Sequence, residues 1–336
     1  MSARHFPSLD QLDIQLMTEL ESDAGQSCRS LAAKLALNRL TVTNKKRRLL
    51  DGDVIRHICW VDPFAAGYKF IIALGISAEA GRIDYLVDKI STCPRISQVY
   101  ACMGRFNIIA WAIFREVEDV SDFLSNELGP LGVPQLEMIL TLQIVKLTPR
   151  LLTDEKEPRP SENAAKSLDD LDRKLIRELQ INPGQSSKRL VEKLGVYKST
   201  INRRIQKLTA DHVIHIEFSI NPFALGYEGM ALIGLKCAPD KVREVADAVA
   251  LYKQSQYVGI CIGRYDLMAW VEFQQLSDLR HFITVELGGI PGLRDTDTTI
   301  VYKQVKTADW LSFIRNGTRR SQTVASSTKV KTVCDE

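Results

Sequence analysis

The sequence predicts an α+β fold made of two repeats, each a winged helix-turn-helix followed by a ferredoxin-like βαββαβ domain. Two observations carry this. A shift of 159 positions brings landmarks into coincidence without a gap from Leu9 to Gly129. Asp62-Pro63-Phe64-Ala65-Ala66-Gly67-Tyr68 lands on Asn221-Pro222-Phe223-Ala224-Leu225-Gly226-Tyr227, and Gly104-Arg105-Phe106-Asn107 on Gly263-Arg264-Tyr265-Asp266. Within each repeat, three short helical patterns precede an alternation of apolar strands and amphipathic helices.

Leu9, Leu12, Leu16 and Leu20 form one stripe of a first helix, and Ser8 with Gln11 has capping-box spacing at its start. A second helix begins near Ser27, with Leu31, Ala32 and Leu35 inward. After a turn at Ala36-Leu37-Asn38, a third runs from about Arg39 to Asp51. Val42, Leu49 and Leu50 anchor that helix, and Arg39, Thr43, Lys46 and Arg47 fall broadly on its other side. In the second repeat Leu168, Leu171, Leu175 and Leu179 form the first stripe, Gly195 supplies the turn, and the third helix starts at Tyr197. Three short helices with a basic third one describe a helix-turn-helix, and a strand pair after it makes the winged variant. A helix fits the major groove, small polar groups reach base edges and cations neutralise phosphates. A single basic stripe is also what a solvated helix face looks like; its recurrence after the same turn favours DNA.

Strands are expected at Lys69 to Ile76, Ile96 to Met103, Ile108 to Phe114 and Leu136 to Leu147, with helices at Arg82 to Ser91 and Val117 to Leu128. The second repeat has the same order from Gly229 to Tyr302, drifting by two positions only between Gly129 and Thr141 or Gly288 and Thr298. The apolar strands, with Trp111 and Trp270 at matching sites, imply that one sheet face is buried against another copy. Helix-turn-helix units therefore occupy 1–60 and 167–219, ferredoxin-like domains 61–148 and 220–306, a solvated linker 149–166, and a largely disordered tail 307–336.

The net charge is only +3, so any DNA-binding surface must be local. No apolar run is long enough to cross a bilayer, and the first seven residues lack an apolar signal-peptide core. Seven cysteines, odd in number and without a C-x-x-C, are read as reduced thiols in a cytoplasm; Cys102 and Cys261, matched across the repeats, are small core residues. The five histidines show no metal-ligand grouping and are read as solvent-facing. No nucleophile–base pair, phosphate loop or carboxylate couple indicates catalysis, and no cofactor or metal is expected.

The phrases Leu168-Asp169-x-x-Asp172, Arg203-Arg204-Ile205-Gln206-Lys207-Leu208 before Val213-Ile214, Leu225-Gly226-Tyr227 and Gly263-Arg264-Tyr265-Asp266-Leu267 resemble the Lrp/AsnC (feast/famine) family of transcription regulators. The resemblance covers about residues 8–148 and 167–306, so the chain looks like a tandem, fused form of a unit that ordinarily occurs once. It implies double-stranded DNA and a small-molecule effector, an amino acid or related metabolite, as partners. It also implies an intramolecular pseudo-dimer with further homo-oligomerisation.

DNA contacts are expected from Arg39, Thr41, Thr43, Lys45, Lys46 and Arg47, and from Lys198, Ser199, Thr200, Asn202, Arg203, Arg204 and Lys207. The family's central arginine is matched by Arg204, with Lys45 in its place in the first repeat. Asn38 can cap the third helix, whereas Tyr197 cannot. The resemblance places effector contacts at the glycine loops: Gly263, Tyr265 and Asp266, with a silent or altered counterpart at Gly104, Phe106 and Asn107. Asp266 could meet an amino group or simply hold its turn. Two other classes are alternatives. Sirohaem decarboxylases share the fold, but their basic, histidine-containing stretch is replaced here by Asp62-Pro63-Phe64-Ala65 and Asn221-Pro222-Phe223-Ala224. A sensing module without DNA binding is the third.

Overall fold

The structure is a computed structural model that describes residues 6–148, 151–153 and 168–307. The first repeat contains α1 (Gln11–Ser22), α2 (Cys28–Lys34), α3 (Arg39–Asp51) and β1 (Ile55–Val61). Then follow β2 (Phe70–Ser77), α4 (Ile83–Thr92), β3 (Ile96–Met103), β4 (Ile108–Phe114), α5 (Val117–Phe123) and β5 (Gln135–Leu147). The second contains α6 (Asp170–Ile181), α7 (Ser187–Leu194), α8 (Lys198–Ala210), β6 (Ile214–Ile220), β7 (Gly229–Cys237), α9 (Val242–Leu251), β8 (Ser255–Ile262), β9 (Leu267–Phe273), α10 (Leu276–His281) and β10 (Leu293–Thr307).

Asp10, not Ser8, caps α1: its carboxylate accepts the Asp13 N–H at 2.8 Å, and Asp13 accepts the Asp10 N–H at 2.9 Å. A carboxylate serves better than a hydroxyl at the positive end of a helix. Asp169 and Asp172 repeat the device on α6. Asn38 caps α3 by accepting the Thr41 N–H at 2.8 Å, and Tyr197 makes no such bond on α8. The turn between α2 and α3 needs a left-handed residue. Ala36 adopts it with φ 53°, where the second repeat has Gly195 with φ 68°.

The expected strand pair within each helix-turn-helix is absent among the described residues. Each unit has one strand, and the two pair with each other: β1 and β6 run antiparallel from Ile55↔Ile220 to Val61↔Ile214. The helical trios are exchanged across this ribbon. Leu16, Leu20, Leu31, Val42 and Leu49 pack on Phe218 and Ile220 of the second repeat, whereas Leu175, Leu179, Leu190 and Ile201 pack on Cys59, Trp60 and Val61 of the first.

The remaining strands close one eight-stranded barrel in the order β10-β3-β4-β2-β5-β8-β9-β7. Each repeat contributes four neighbouring strands, and β5–β8 and β10–β3 form the seams. The inner face is the shared core, containing Ile71, Tyr100, Trp111, Ile139, Leu232, Tyr257 and Met268. Trp111 meets Tyr257 edge-on at 5.4 Å, and Tyr100 tilts against Trp270 at 4.6 Å. Helices α4 and α5 cover one outer face, α9 and α10 the other. The sheet faces are thus buried against the other repeat, as the apolar strands imply.

Strand register corrects the expected drift in the last loop. Ile71 faces Thr141 in the first repeat, and its counterpart Met230 faces Val301 in the second. Thr141 therefore matches Val301, an offset of 160 and a single added residue.

The first part of the linker is anchored, not solvated. Glu21, 1% exposed, accepts the N–H groups of Leu151, Leu152 and Thr153 at 2.7, 2.8 and 2.7 Å. The rest of that linker, residues 149–150 and 154–166, and the expected disordered tail beyond Thr307 lie outside the described residues. The histidine expectation also changes: His57 stacks on Phe218 at 4.4 Å and His215 on Trp60 at 3.9 Å. Burial holds the His57 imidazole down at about 4, so it stays neutral.

Candidate nucleic-acid interface and ligand cavity

Burial of Val42 and Leu49 turns one face of α3 outward, and burial of Ile201 and Leu208 does the same for α8. Arg39, Thr43 and Arg47 are exposed on α3; Lys198, Ser199, Asn202, Arg203 and Lys207 are exposed on α8. These faces also carry Asn44 and Arg48, and Gln206, which sequence reasoning did not select. Leu40 is 69% exposed where the second repeat has Ser199, and Tyr197 is 84% exposed at the head of α8. The two helices therefore present different chemistry at matching positions.

Five expected DNA contacts lie elsewhere. Lys45 turns back into the fold and pairs with Asp10 at 2.6 Å and Asp13 at 3.0 Å. Arg204 pairs with Asp172 at 2.8 Å and Asp169 at 2.5 Å. These cations clamp the third helix to the first, so the family's central arginine position is a strut here. Arg48 also reaches the Asp13 carboxylate. Lys46 lies 4.5 Å from the centre of the Phe218 ring, and burial holds its ammonium below the usual range. Thr41 and Thr200 are half-buried in the first turns of their helices.

The glycine loops are built for docking. Gly104 and Gly263 have φ of 132° and 133°, and a Cβ there would meet the Thr298 carbonyl oxygen at 2.9 Å or that of Met138 at 2.8 Å. Each loop so rests on the last strand of the other repeat. Phe106 is 1% and Tyr265 5% exposed, and their rings lie over Gly75 and Gly234, where any Cβ would clash at about 2.5 Å. Tyr265 donates to Asp297 at 2.7 Å. Asn107 accepts the Ala78 N–H at 2.8 Å, and Asp266 accepts the Cys237 N–H at 2.9 Å with Lys236 at 3.3 Å. The two side chains do the same work at matching turns, so the asymmetry read as an effector carboxylate has a structural account. Asp266→Asn should leave stability within about 0.5 kcal/mol by urea denaturation, whereas Asp266→Ala should cost about 1–3 kcal/mol by orphaning an amide. Cys102 and Cys261 are buried core residues, and burial pushes both thiols up to about 12.

A cavity of about 290 Å³ opens between the β1–β6 ribbon and the barrel mouth. Trp60, Tyr100, Trp111, Tyr257 and Trp270 wall it, and Gln98, Gln256, Gln304 and Glu272 supply polar groups. Sequence reasoning missed this site, because its walls come from both repeats. Among the described residues its one arginine is Arg56, held by Asp53 through bonds of 2.6 and 2.7 Å, and no histidine or lysine lines it. Glu217, buried in the ribbon, accepts from the Trp60 indole. Glu272 differs: its Oε2 is closed off and has no hydrogen-bond partner among the described residues. Desolvation pushes its carboxyl up to about 8 from the usual 4.5.

That shift has a signed consequence. Between about pH 4.5 and 8 the unfolded chain has released this proton and the folded chain has kept it. Stability therefore falls as pH rises through that window and levels off above it. Glu272→Gln should be more stable than the parent at pH 8, by up to a few kcal/mol, and close to it at pH 4.5. Urea denaturation at the two pH values reads the difference.

Two helix-turn-helix units are held on a ribbon above a paired ferredoxin-like barrel, the architecture of a two-unit helix-turn-helix protein. The Lrp/AsnC ligand binding domain model matches residues 72–151 and 230–311, and a winged helix-turn-helix DNA-binding model matches residues 168–215. An uncharacterized HTH-type transcriptional regulator from Pyrococcus furiosus is 35% identical over 136 residues, 40% of this chain and 91% of that protein. The HTH-type transcriptional regulator FL11 of Pyrococcus abyssi is 37% identical over 143 residues, 42% of this chain and 93% of that one. The chain belongs to the Lrp/AsnC family of transcription regulators, with the ligand-binding domain present twice. The solved sirohaem decarboxylase NirDL superposes with a TM-score of 0.62 at 14% identity, covering 91% of this chain and 96% of that chain, a likeness of fold.

Proposed function

We propose that this regulator binds duplex DNA as a cytoplasmic intramolecular pseudo-dimer, that pairs of such chains assemble further, and that it performs no chemistry of its own. The observation that carries the reading is the pair of exposed cationic helix faces, Arg39 and Arg47 on α3 and Lys198, Arg203 and Lys207 on α8. Base contacts are assigned to Thr43 and Asn44 on one helix and Ser199, Asn202 and Gln206 on the other. Leu40 suits a thymine methyl, where Ser199 suits a polar edge. The operator then has two half-sites that are not inverted copies. A small metabolite is the effector, and the glycine-loop residues serve as seams between repeats.

A tetrapyrrole decarboxylase is disfavoured by the cavity lining, where the one arginine among the described residues is already engaged by Asp53. A polyanionic substrate calls for several free cations. Among the described residues no helix is long and apolar enough to cross a membrane.

Footprinting on the gene's own upstream region tests the reading. Two unequal protected half-sites, about one helical turn or a multiple apart, are expected. A single symmetric site, or no protection at low salt, overturns it.

A further inference from the structure

Position 272 is where the two repeats part company most sharply inside the barrel. Its counterpart is Ile113, 4% exposed and part of the shared core. The second repeat puts a carboxylate at the same inward-facing place on β9, two residues after Trp270 and opposite Met230. Leaving such a group unpaired costs stability unless something else uses it. Charged and titratable groups around it are few. Tyr100 comes from β3 and Tyr227 from the start of the second barrel half, and both feel its charge. Tyr257 on β8 and Arg56 on β1 complete the lining, the latter held by Asp53. None of them is a free cation.

We propose that this cavity binds a small monocationic amine with an aromatic or aliphatic body, its ammonium on Glu272 and its body between Trp60, Trp111 and Trp270. Each wall fits that chemistry. Indole and phenol faces attract a cation and cover an apolar body. The glutamine amides, Gln98, Gln256 and Gln304, offer acceptors for the remaining ammonium protons. At about 290 Å³ the space is near the lower end of ligand pockets, which suits a metabolite of amino-acid size and not a macrocycle. Among the described residues of the lining a ligand carboxylate finds no unpaired cation, so the amine is preferred to the matching amino acid.

The cavity roof is the β1–β6 ribbon, which holds both helical trios. Arg56, Ile58, Trp60, Ser219 and Ile220 are ribbon residues and cavity lining at once. An occupant therefore bears on the element that sets the separation of α3 and α8. Only this last step rests on the DNA-binding reading; the binding itself is measured without DNA.

The test is calorimetric titration of the full chain with phenethylamine and tryptamine. Phenylalanine, 3-phenylpropanol and 3-phenylpropionate are the zwitterionic, neutral and anionic controls. The amines are expected to bind and the anion not to. Glu272→Gln should weaken amine binding about tenfold or more. Glu272→Ile, which installs the first repeat's residue, should abolish it while near-UV circular dichroism reports an intact fold. At pH 7 the cation fixes the carboxylate in its charged form, so binding releases nearly one proton. Comparison of phosphate and Tris buffers reads that proton, and the release should vanish at pH 9. Equal binding of the neutral control, unchanged affinity in Glu272→Gln, or no binding by either amine overturns the proposal. Amine binding that leaves operator affinity unchanged supports the site and removes its regulatory role.

Discussion

Replacing Asp13 by alanine is expected to cost the first helix-turn-helix about 2–4 kcal/mol, a large part of the stability of a unit of this size. The Asp13 side chain is 0% exposed and holds Lys45 and Arg48 while also accepting the Asp10 N–H. Its removal leaves Arg48 and a capping amide short of a partner and Lys45 with Asp10 alone. The same substitution at Asp172 should cost about 1–2 kcal/mol. There the carboxylate is 15% exposed and holds one cation, Arg204, where Asp13 holds two. Urea denaturation followed by limited proteolysis separates the halves. Equal costs at the two positions would contradict the strut assignment.

Combined replacement of Lys198, Arg203 and Lys207 by alanine should lower operator affinity by about a hundredfold or more at moderate salt. The slope of log K against log salt should shrink by roughly 0.9 for each lost phosphate contact. The three side chains are exposed on α8 and no ion pair among the described residues engages them, so the fold should survive. Arg204→Ala is the informative contrast. It should lower stability through its lost pairs and leave the salt slope nearly unchanged. Fluorescence anisotropy between 50 and 200 mM salt reads both, and an unaltered slope in the triple variant would falsify the placement of α8 on the phosphates.

Local structure was legible in the sequence wherever one repeat sufficed. The third helix runs from Arg39 to Asp51 as its apolar spacing predicts, and the βαββαβ order follows from strand and helix periodicity. What resisted reading was non-local. Nothing in the pattern of Ile55–Val61 says that its partner strand lies 159 residues away in the other unit, because backbone pairing carries no sequence label. The same holds for the β5–β8 and β10–β3 seams and for the cavity beneath the ribbon. Two signals were present and went unused. Asp10 and Asp13 with Lys45 recur as Asp169 and Asp172 with Arg204, a charge match kept through duplication that marks a helix–helix clamp. Glu272 stands in the otherwise apolar run from Leu267 to Phe273 where Ile113 stands in the first repeat. At the glycine loops a carboxylate near a turn reads equally as ligand anchor and as turn clasp, and the coordinates add the clasp.

Closing both barrel seams within one polypeptide changes how the molecule meets dilution. A pair of separate chains must find each other first, whereas here the local concentration of one half about the other is set by the tether and does not fall with copy number. No strand edge of the barrel is left to recruit a single-unit cousin, so subunit exchange with paralogues is shut off. The stoichiometry of the two dissimilar helix-turn-helix units is fixed at synthesis.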